Sequence, residues 1–274
     1  MPRNVELDHD ETMTPHVRSI TLVRHGRTAY NLARRLQGQI DIPLDIVGRW
    51  QADQSAYELA KTYYWAKVAH LAEHNDQLAQ PAYGNAHLAD VDEINNAPAA
   101  ARRMLVVSSD LFRAQQTAHA FADLMGLDVE LDPRLRERSF GDWEGIAVEE
   151  LAKRFPEDYL SWAQFRGGEL KYGAEPKQNV GRRGVEALND WASKAGSDTD
   201  LYVFSHGSWI AQTVQTVLGL GAMHGDFADI LSMRNAHWVR LAPLELQGAL
   251  RWRLVDYNHG PAIADTEQWE HPQL

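Results

Sequence analysis

Arg24-His25-Gly26-Arg27-Thr28 places one imidazole among two guanidiniums in a single short stretch. A neutral imidazole is a nucleophile toward phosphorus, and arginine offers a rigid, permanently charged fork that suits phosphate oxygens. Residues 17–23 just before it are β-branched and alternating, which predicts a strand. Gly26 lets the chain turn sharply after that strand. Two more segments repeat the arrangement. Residues 104–107 read as a buried strand, followed by Ser108-Ser109-Asp110, whose side chains suit a helix cap, and by Arg113 in the helix's first turn. Residues 201–204 read as a strand, followed by Ser205-His206-Gly207-Ser208 and a helix over 209–218. Ligands of open α/β sheets bind beyond the carboxyl ends of the strands. If these strands are neighbours, two histidines and two arginines meet in one pocket. The helix amino termini near Leu111 and Trp209 would add backbone N–H groups and positive dipole ends. Such a pocket suits a phosphoryl group.

The rest of the chain supplies elements to hold those loops. Residues 1–16 read as a flexible tail. Asn31 opens a helical turn over 31–36, which Gln37-Gly38-Gln39 breaks before an extended loop through 41–44. Gly48 precedes a long helix whose Ala52, Ala56, Leu59 and Tyr63 form one apolar face. Residues 75–101, rich in Ala, Asn, Asp and Gln, read as an insertion with little to contribute to a core. A helix is expected over 111–125, stopping at Gly126, then a strand over 128–131 and a loop from Pro133 to Glu137. Helices over 146–155 and 157–165 are split by Pro156, and another spans 180–195. Residues 236–241 and 250–255 suggest a closing hairpin, and 258–274 a tail, leaving one domain over 17–257. Strands alternating with helices predict an α/β fold, a three-layer α/β/α sandwich around a mostly parallel central sheet.

Composition narrows the class. The 274 residues are 44% hydrophobic and 24% charged, an ordinary globular balance. The absence of cysteine excludes disulfides and thiolate metal sites and suits a reducing cytoplasm. Residues 1–15 have no apolar core, so no signal peptide is expected, and no apolar run is long enough for a membrane span. A net charge of −11 argues against a nucleic-acid partner, and any anion site must come from local clustering of cations.

An ordered series of motifs over residues 20–241, interrupted by the insertion, resembles the histidine phosphatase superfamily, which includes phosphoglycerate mutase. The matching pieces are Leu22 to Thr28 with Asn31, Gln37-Gly38, Pro43-Leu44 with Gly48, and Gln51-Ala52. They continue with Ser109-Asp110-Leu111, Arg113, Gln116-Thr117-Ala118, Glu137, Phe140-Gly141, Trp143-Glu144-Gly145 and Ser205-His206-Gly207. Asp45 stands where the family often has Thr, at a helix-capping position that Asp fills equally well. The resemblance implies a phosphoglycerate mutase-like fold and a metal-independent phosphomonoesterase of histidine acid phosphatase type. It implies that His25 attacks phosphorus and becomes a phosphohistidine. Arg24, Arg113 and His206 would hold the non-bridging oxygens, with Asn31, Gln37, Gly38 and Gly207 completing the phosphate cradle. Glu137 would protonate the leaving oxygen and later deprotonate water. No cofactor or metal is expected, and the partner is a small phosphate ester.

Competing readings are a phosphoglycerate mutase and a phosphate-binding module without catalysis. The Phe140 to Gly145 segment resembles the phosphatase branch, and no dense basic cluster accompanies it. A binding module has no need of both His25 and Glu137. His70-Leu71-Ala72-Glu73-His74 has the spacing of a zinc motif, but it borders the insertion and reads as a solvated helix end. Lys153, Arg154, Arg166, Lys171, Arg182 and Arg183 are candidates for a second anionic group, and Trp162, Phe165 and Tyr172 for stacking on a ring. Homo-oligomerisation is left open.

Overall fold

The computed structural model describes residues 17–73, 103–220, 230, 233–246 and 249–272. The expected tail over 1–16 and the insertion over 75–101 lie outside the described residues. The strands are β1 (Ser19–Arg24), β2 (Arg103–Ser108), β3 (Val129–Leu131), β4 (Thr199–Ser205), β5 (Trp238–Leu246) and β6 (Ala249–His259). They form one sheet in the order β3-β2-β4-β1-β5-β6. β3, β2, β4 and β1 run parallel, and the β5–β6 hairpin closes the edge antiparallel to β1. The chain is therefore α/β with a mostly parallel central sheet, as its alternation of elements implied.

Side-chain alternation along these strands sorts residues to two faces. Ile20, Leu22, Val107, Leu201, Val203, Val239 and Leu241 point one way. On that face they meet α6 (Lys177–Ala195) and α7 (Gly207–Val217), through Val180, Leu188, Trp209, Ile210 and Val214. Val23, Val106, Tyr202, Phe204 and Trp238 point the other way. There they pack on Ala56 and Leu59 of α2 (Ile46–Glu73) and on Ala118, Phe121 and Ala122 of α3 (Phe112–Met125). The remaining helices are short: α1 (Ala29–Leu32), α4 (Val148–Arg154) and α5 (Pro156–Ala163). Pro156 occupies the first turn of α5, where its missing N–H costs nothing. α3 stops at Gly126, whose φ of 67° is the left-handed conformation glycine favours.

Three expectations need correction. α2 begins at Ile46, not after Gly48: Asp45 caps it, its Oδ1 accepting from Gly48 N at 2.7 Å. Gly48 lies inside the helix because a Cβ there would strike the backbone of Arg27. Asp110 does not cap α3; its carboxylate pairs with the Arg136 guanidinium at 2.6 Å. Residues 258–272 are not a tail. They continue from β6 through two 3₁₀ turns, Ala262–Asp265 and Glu267–Trp269, and Trp269 is completely buried against Ala236 and Ala264. A single large ring can anchor a polar segment that shows no periodicity.

Candidate active site

The strands that lead into His25, Ser109 and His206 are neighbours: β1 pairs with β4, and β4 with β2. Their ladders extend into the loops, His25 N donating to Ser205 O and Ser109 N to Phe204 O. His25 is 3% exposed, and His206 and Arg113 are fully buried. The two imidazoles lie 5.1 Å apart between centroids. The side chains that the sequence placed in one pocket do lie together.

Hydrogen bonding assigns the tautomers. His25 Nδ1 lies 2.7 Å from Gly26 O; a carbonyl only accepts, so Nδ1 carries the proton and Nε2 keeps its lone pair. His206 Nδ1 accepts from Arg113 Nε at 3.2 Å, so His206 Nε2 is the protonated atom, 2.9 Å from Ser109 Oγ. Both imidazoles are held well below their ordinary pKa, by burial first and then by the Arg113 charge. Burial also lowers Arg113 to about 10, which leaves it charged at neutral pH. Its Nη1 donates to Ile40 O and its Nη2 to Gly38 O, at 2.9 and 2.7 Å. Gln37 completes the fork: oriented to satisfy both ends, its amide accepts from Arg113 and donates to Thr28 Oγ1. Arg24 reaches across to Met233 O through Nη1. Asn31 Oδ1 accepts from Thr28 N and Asn235 Nδ2, which leaves the amide nitrogen as its donor.

Glu137 forms no ion pair with its neighbours in sequence. Arg136 pairs with Asp110, and Arg138 with the equally buried Glu169 at 2.7 Å. The Glu137 carboxylate sits instead on the amino terminus of α7. It accepts from Ser208 N at 3.0 Å, Trp209 N at 2.9 Å and Arg138 N at 2.7 Å. α3 is served likewise, Asp41 Oδ1 accepting from Phe112 N. The helix ends expected to face a phosphoryl group are thus met by the protein's own carboxylates, because a helix amino terminus attracts any nearby anion. Gly207 is buried at the start of α7, and Ser208, not Gly207, lines the cavity.

Arg24, His25, Asn31, Gln37, Gly38, Arg113 and Glu137 border one cavity of about 520 Å³. Phe140, Tyr159, Trp162 and Phe165 form much of its apolar wall, with the cations Arg35 and Lys177 beside them. None of Lys153, Arg154, Arg166, Lys171, Arg182 and Arg183 lines it. Arg154 pairs with Glu150, Lys171 with Asp158 and Arg183 with Glu175. Arg183 also clamps the backbone carbonyls of Arg134, Arg136 and Glu137. Tyr172 is spent on Asp158 and the Trp143 ring, while Trp162 and Phe165 do reach the cavity.

The residues that hold the His25 loop were matched in the motif series without a role, except Asn235, which sequence reasoning missed. Asn235 Nδ2 donates to His25 O and Gly26 O. Thr117 Oγ1 accepts from Gly26 N, and Gln51 Oε1 from Arg27 N. Asp45 binds Arg27 Nε as well as capping α2. Glu144 ties Gln39 N to Ser139 Oγ and Phe140 N. No local pattern marks Asn235; its partners are remote in sequence. His74 lies outside the described residues, and the side chain of His70 is likewise undescribed. Among the described residues no helix is long and apolar enough to cross a membrane.

A parallel-sheet α/β fold with two buried imidazoles and two arginines beyond adjacent strand ends is the architecture of a phosphoryl-handling enzyme. The family model of the histidine phosphatase superfamily (branch 1) matches residues 20–70 and 91–258. The chain belongs to that superfamily. It is 32% identical over 263 residues to the glucosyl-3-phosphoglycerate phosphatase of Mycolicibacterium vanbaalenii, covering 91% of this chain and 98% of the relative. A probable phosphoglycerate mutase of Yersinia enterocolitica is 32% identical over 205 residues, covering 73% and 75%. The structure of mycobacterial glucosyl-3-phosphoglycerate phosphatase in complex with VO3 superposes with a TM-score of 0.66 at 27% identity, covering 88% of this chain and 99% of that one. Family and relatives together make this chain a phosphatase of a small phosphorylated metabolite.

Proposed function

We propose that this phosphatase releases inorganic phosphate from a monoester whose leaving group carries a sugar ring and a carboxylate, as in glucosyl-3-phosphoglycerate. His25 Nε2 attacks phosphorus in line while Glu137 gives a proton to the departing oxygen, so the P–O bond breaks as the P–N bond forms. Glu137 then takes a proton from water, which attacks the phosphohistidine and frees His25. Arg24 and Arg113 neutralise the charge that spreads over the non-bridging oxygens. His206 fixes Arg113 through Nδ1, and its Nε2–H, shared with Ser109, is the donor it can turn to the phosphoryl group. Asn31, Gln37 and Gly38, which border the cavity, complete the cradle. The arginines take the part a metal plays in other phosphoryl transfers, so no metal is required.

One observation carries the reading: His25 lines the cavity as a neutral imidazole whose Nδ1–H is bound to Gly26 O, leaving Nε2 as the nucleophile. Its depressed pKa keeps it unprotonated in mild acid, which supports the acid phosphatase-type assignment. The cysteine-free composition supports a cytoplasmic setting. The test is phosphate release from glucosyl-3-phosphoglycerate against 3-phosphoglycerate, with chelator present. Preferred release from the glucosyl ester, unaffected by chelator, is expected. Interconversion of 3- and 2-phosphoglycerate with little phosphate released would establish a mutase instead.

A further inference from the structure

Phe165 stands in a position that three other helices of the chain give to glycine. α5 ends at Ala163 with Gln164 as its cap, and Phe165 follows with φ of 61°, in the left-handed region. Phe165 N donates to Trp162 O and Arg166 N to Ser161 O, the paired bonds of a Schellman motif. That motif demands a left-handed residue, which a side chain makes unfavourable. α3, α6 and α7 each run into a glycine with positive φ: Gly126, Gly196 and Gly219. The short α1 ends on Arg34 with φ of 49° and the same paired bonds, and α5 puts a bulky ring there.

Packing does not repay the strain. Phe165 is 39% exposed and belongs to none of the hydrophobic clusters among the described residues. Its neighbour Trp162 is braced by Phe140, Trp143 and Tyr159. Phe165 has no such ring partner among the described residues; it lines the cavity, with Lys177 Nζ 4.4 Å from its ring centroid. A strained residue that contributes little to the core points to function.

We propose that Phe165 is a specificity-determining residue of this site, its ring stacking on the ring of the leaving group. The apolar C–H face of a pyranose fits flat on an aromatic face, and the Lys177 ammonium beside it suits an anion on the same group. The inference rests on the substrate reading above and names the wall that recognises the sugar. The experiment compares F165G and F165A with the wild type, using glucosyl-3-phosphoglycerate and the ringless 3-phosphoglycerate, with thermal unfolding alongside. Both variants raise KM for the glucosyl ester about 10-fold, the order a lost ring contact gives, and leave kcat/KM for the ringless ester within about twofold. F165G unfolds higher than F165A by roughly 2 °C or more, because glycine relieves the left-handed strain. Equal losses on both esters, or F165G unfolding below F165A, overturn the role of Phe165 alone. A wild type that does not turn over the glucosyl ester overturns both readings.

Discussion

Glu137→Gln separates the two duties of one carboxyl group. The carboxylate accepts from Ser208 N, Trp209 N and Arg138 N through both oxygens. A glutamine oxygen can keep Trp209 N and Arg138 N, but the amide nitrogen then faces Ser208 N, donor against donor. An unmet N–H costs about 1–3 kcal/mol when buried, and loss of the anion at the α7 amino terminus adds about 0.3–1 kcal/mol. Ser208 is only half-buried, so water offsets part of this. A net loss of about 1–3 kcal/mol follows, or roughly 2–10 °C in Tm. The catalytic loss is separate. Removing a general acid slows alkyl esters by about 10²–10⁴-fold, whereas an activated aryl ester departs without a proton and is slowed far less in kcat/KM. Dephosphorylation also needs Glu137 as base, so a burst of the aryl alcohol should precede a slow steady state. The assay is stopped-flow and steady-state kinetics over a leaving-group series, with calorimetric unfolding. Equal slowing across the series would refute the acid role, and an unchanged Tm would refute the seat on α7.

His25→Ala should abolish turnover while circular dichroism and Tm stay near wild type; residual activity near the wild-type level would sink the nucleophile assignment. The depressed pKa values of His25 and His206, and of His237 at about 4, mean that the unfolded chain binds more protons than the folded one below about pH 6.5. Stability is therefore complete above about 6.5 and falls as pH drops, by up to about 4 kcal/mol per unit for three such groups, while the acid limb of kcat/KM lies well under 6.5; a Tm flat from pH 7 to 5 would contradict this. Glu169→Gln removes the charge partner of a pair in which both side chains are 2% exposed. It should cost about 3–5 kcal/mol in urea unfolding, and a change under 1 kcal/mol would show that Arg138 finds other partners. Trp269→Ala should cost about 3–5 kcal/mol by the same measurement and lower kcat; unchanged kcat would detach residues 261–270 from the site.

The parts of the fold legible in the sequence were those with local causes. Apolar or β-branched runs at 17–23, 104–107 and 201–204 marked three strands, and the His and Arg at or just beyond their ends marked the candidate site, because strand, turn and helix follow one another within a few residues. The illegible parts depend on remote partners. Nothing near Glu137 tells that it will sit on α7, some seventy residues on, since a carboxylate flanked by two arginines suggests an ion pair. Asp110 resembled a helix cap and became the partner of Arg136, because an exposed cap competes with a guanidinium that the 133–137 loop brings alongside. Trp269 sits among Glu267, Gln268 and Glu270, so no hydrophobic pattern announced its burial. Lys153, Arg154, Arg166, Lys171, Arg182 and Arg183 do not line the cavity for a related reason: charge alone does not say which side chains face a pocket, and Arg35 and Lys177 reach it instead.

Matched motif residues that do no chemistry, together with Asn235, share a purpose. Beyond His25 the loop leaves the sheet's own ladder, so its polar backbone groups need side-chain partners. Thr117 meets Gly26 N, Gln51 meets Arg27 N, and Asn235 meets His25 O and Gly26 O. Gly26 and Gly48 allow α2 to press on the same loop backbone to backbone, where any Cβ would collide. A nucleophile must be held to a fraction of an ångström, which explains why these small polar residues are scattered over the whole chain rather than gathered beside His25. Residues 261–270 add to this clamp from beyond residue 258, where the family match ends. Gln51 Nε2 donates to Trp269 O, Trp269 Nε1 to Asn235 O and Arg27 Nη1 to Glu270 O. The Gln51 side chain and the Asn235 backbone are thus themselves fixed by the Glu267–Trp269 turn. Loosening that turn should reach His25 through Asn235 and Gln51, lowering kcat while the cavity wall that receives the leaving group keeps its shape.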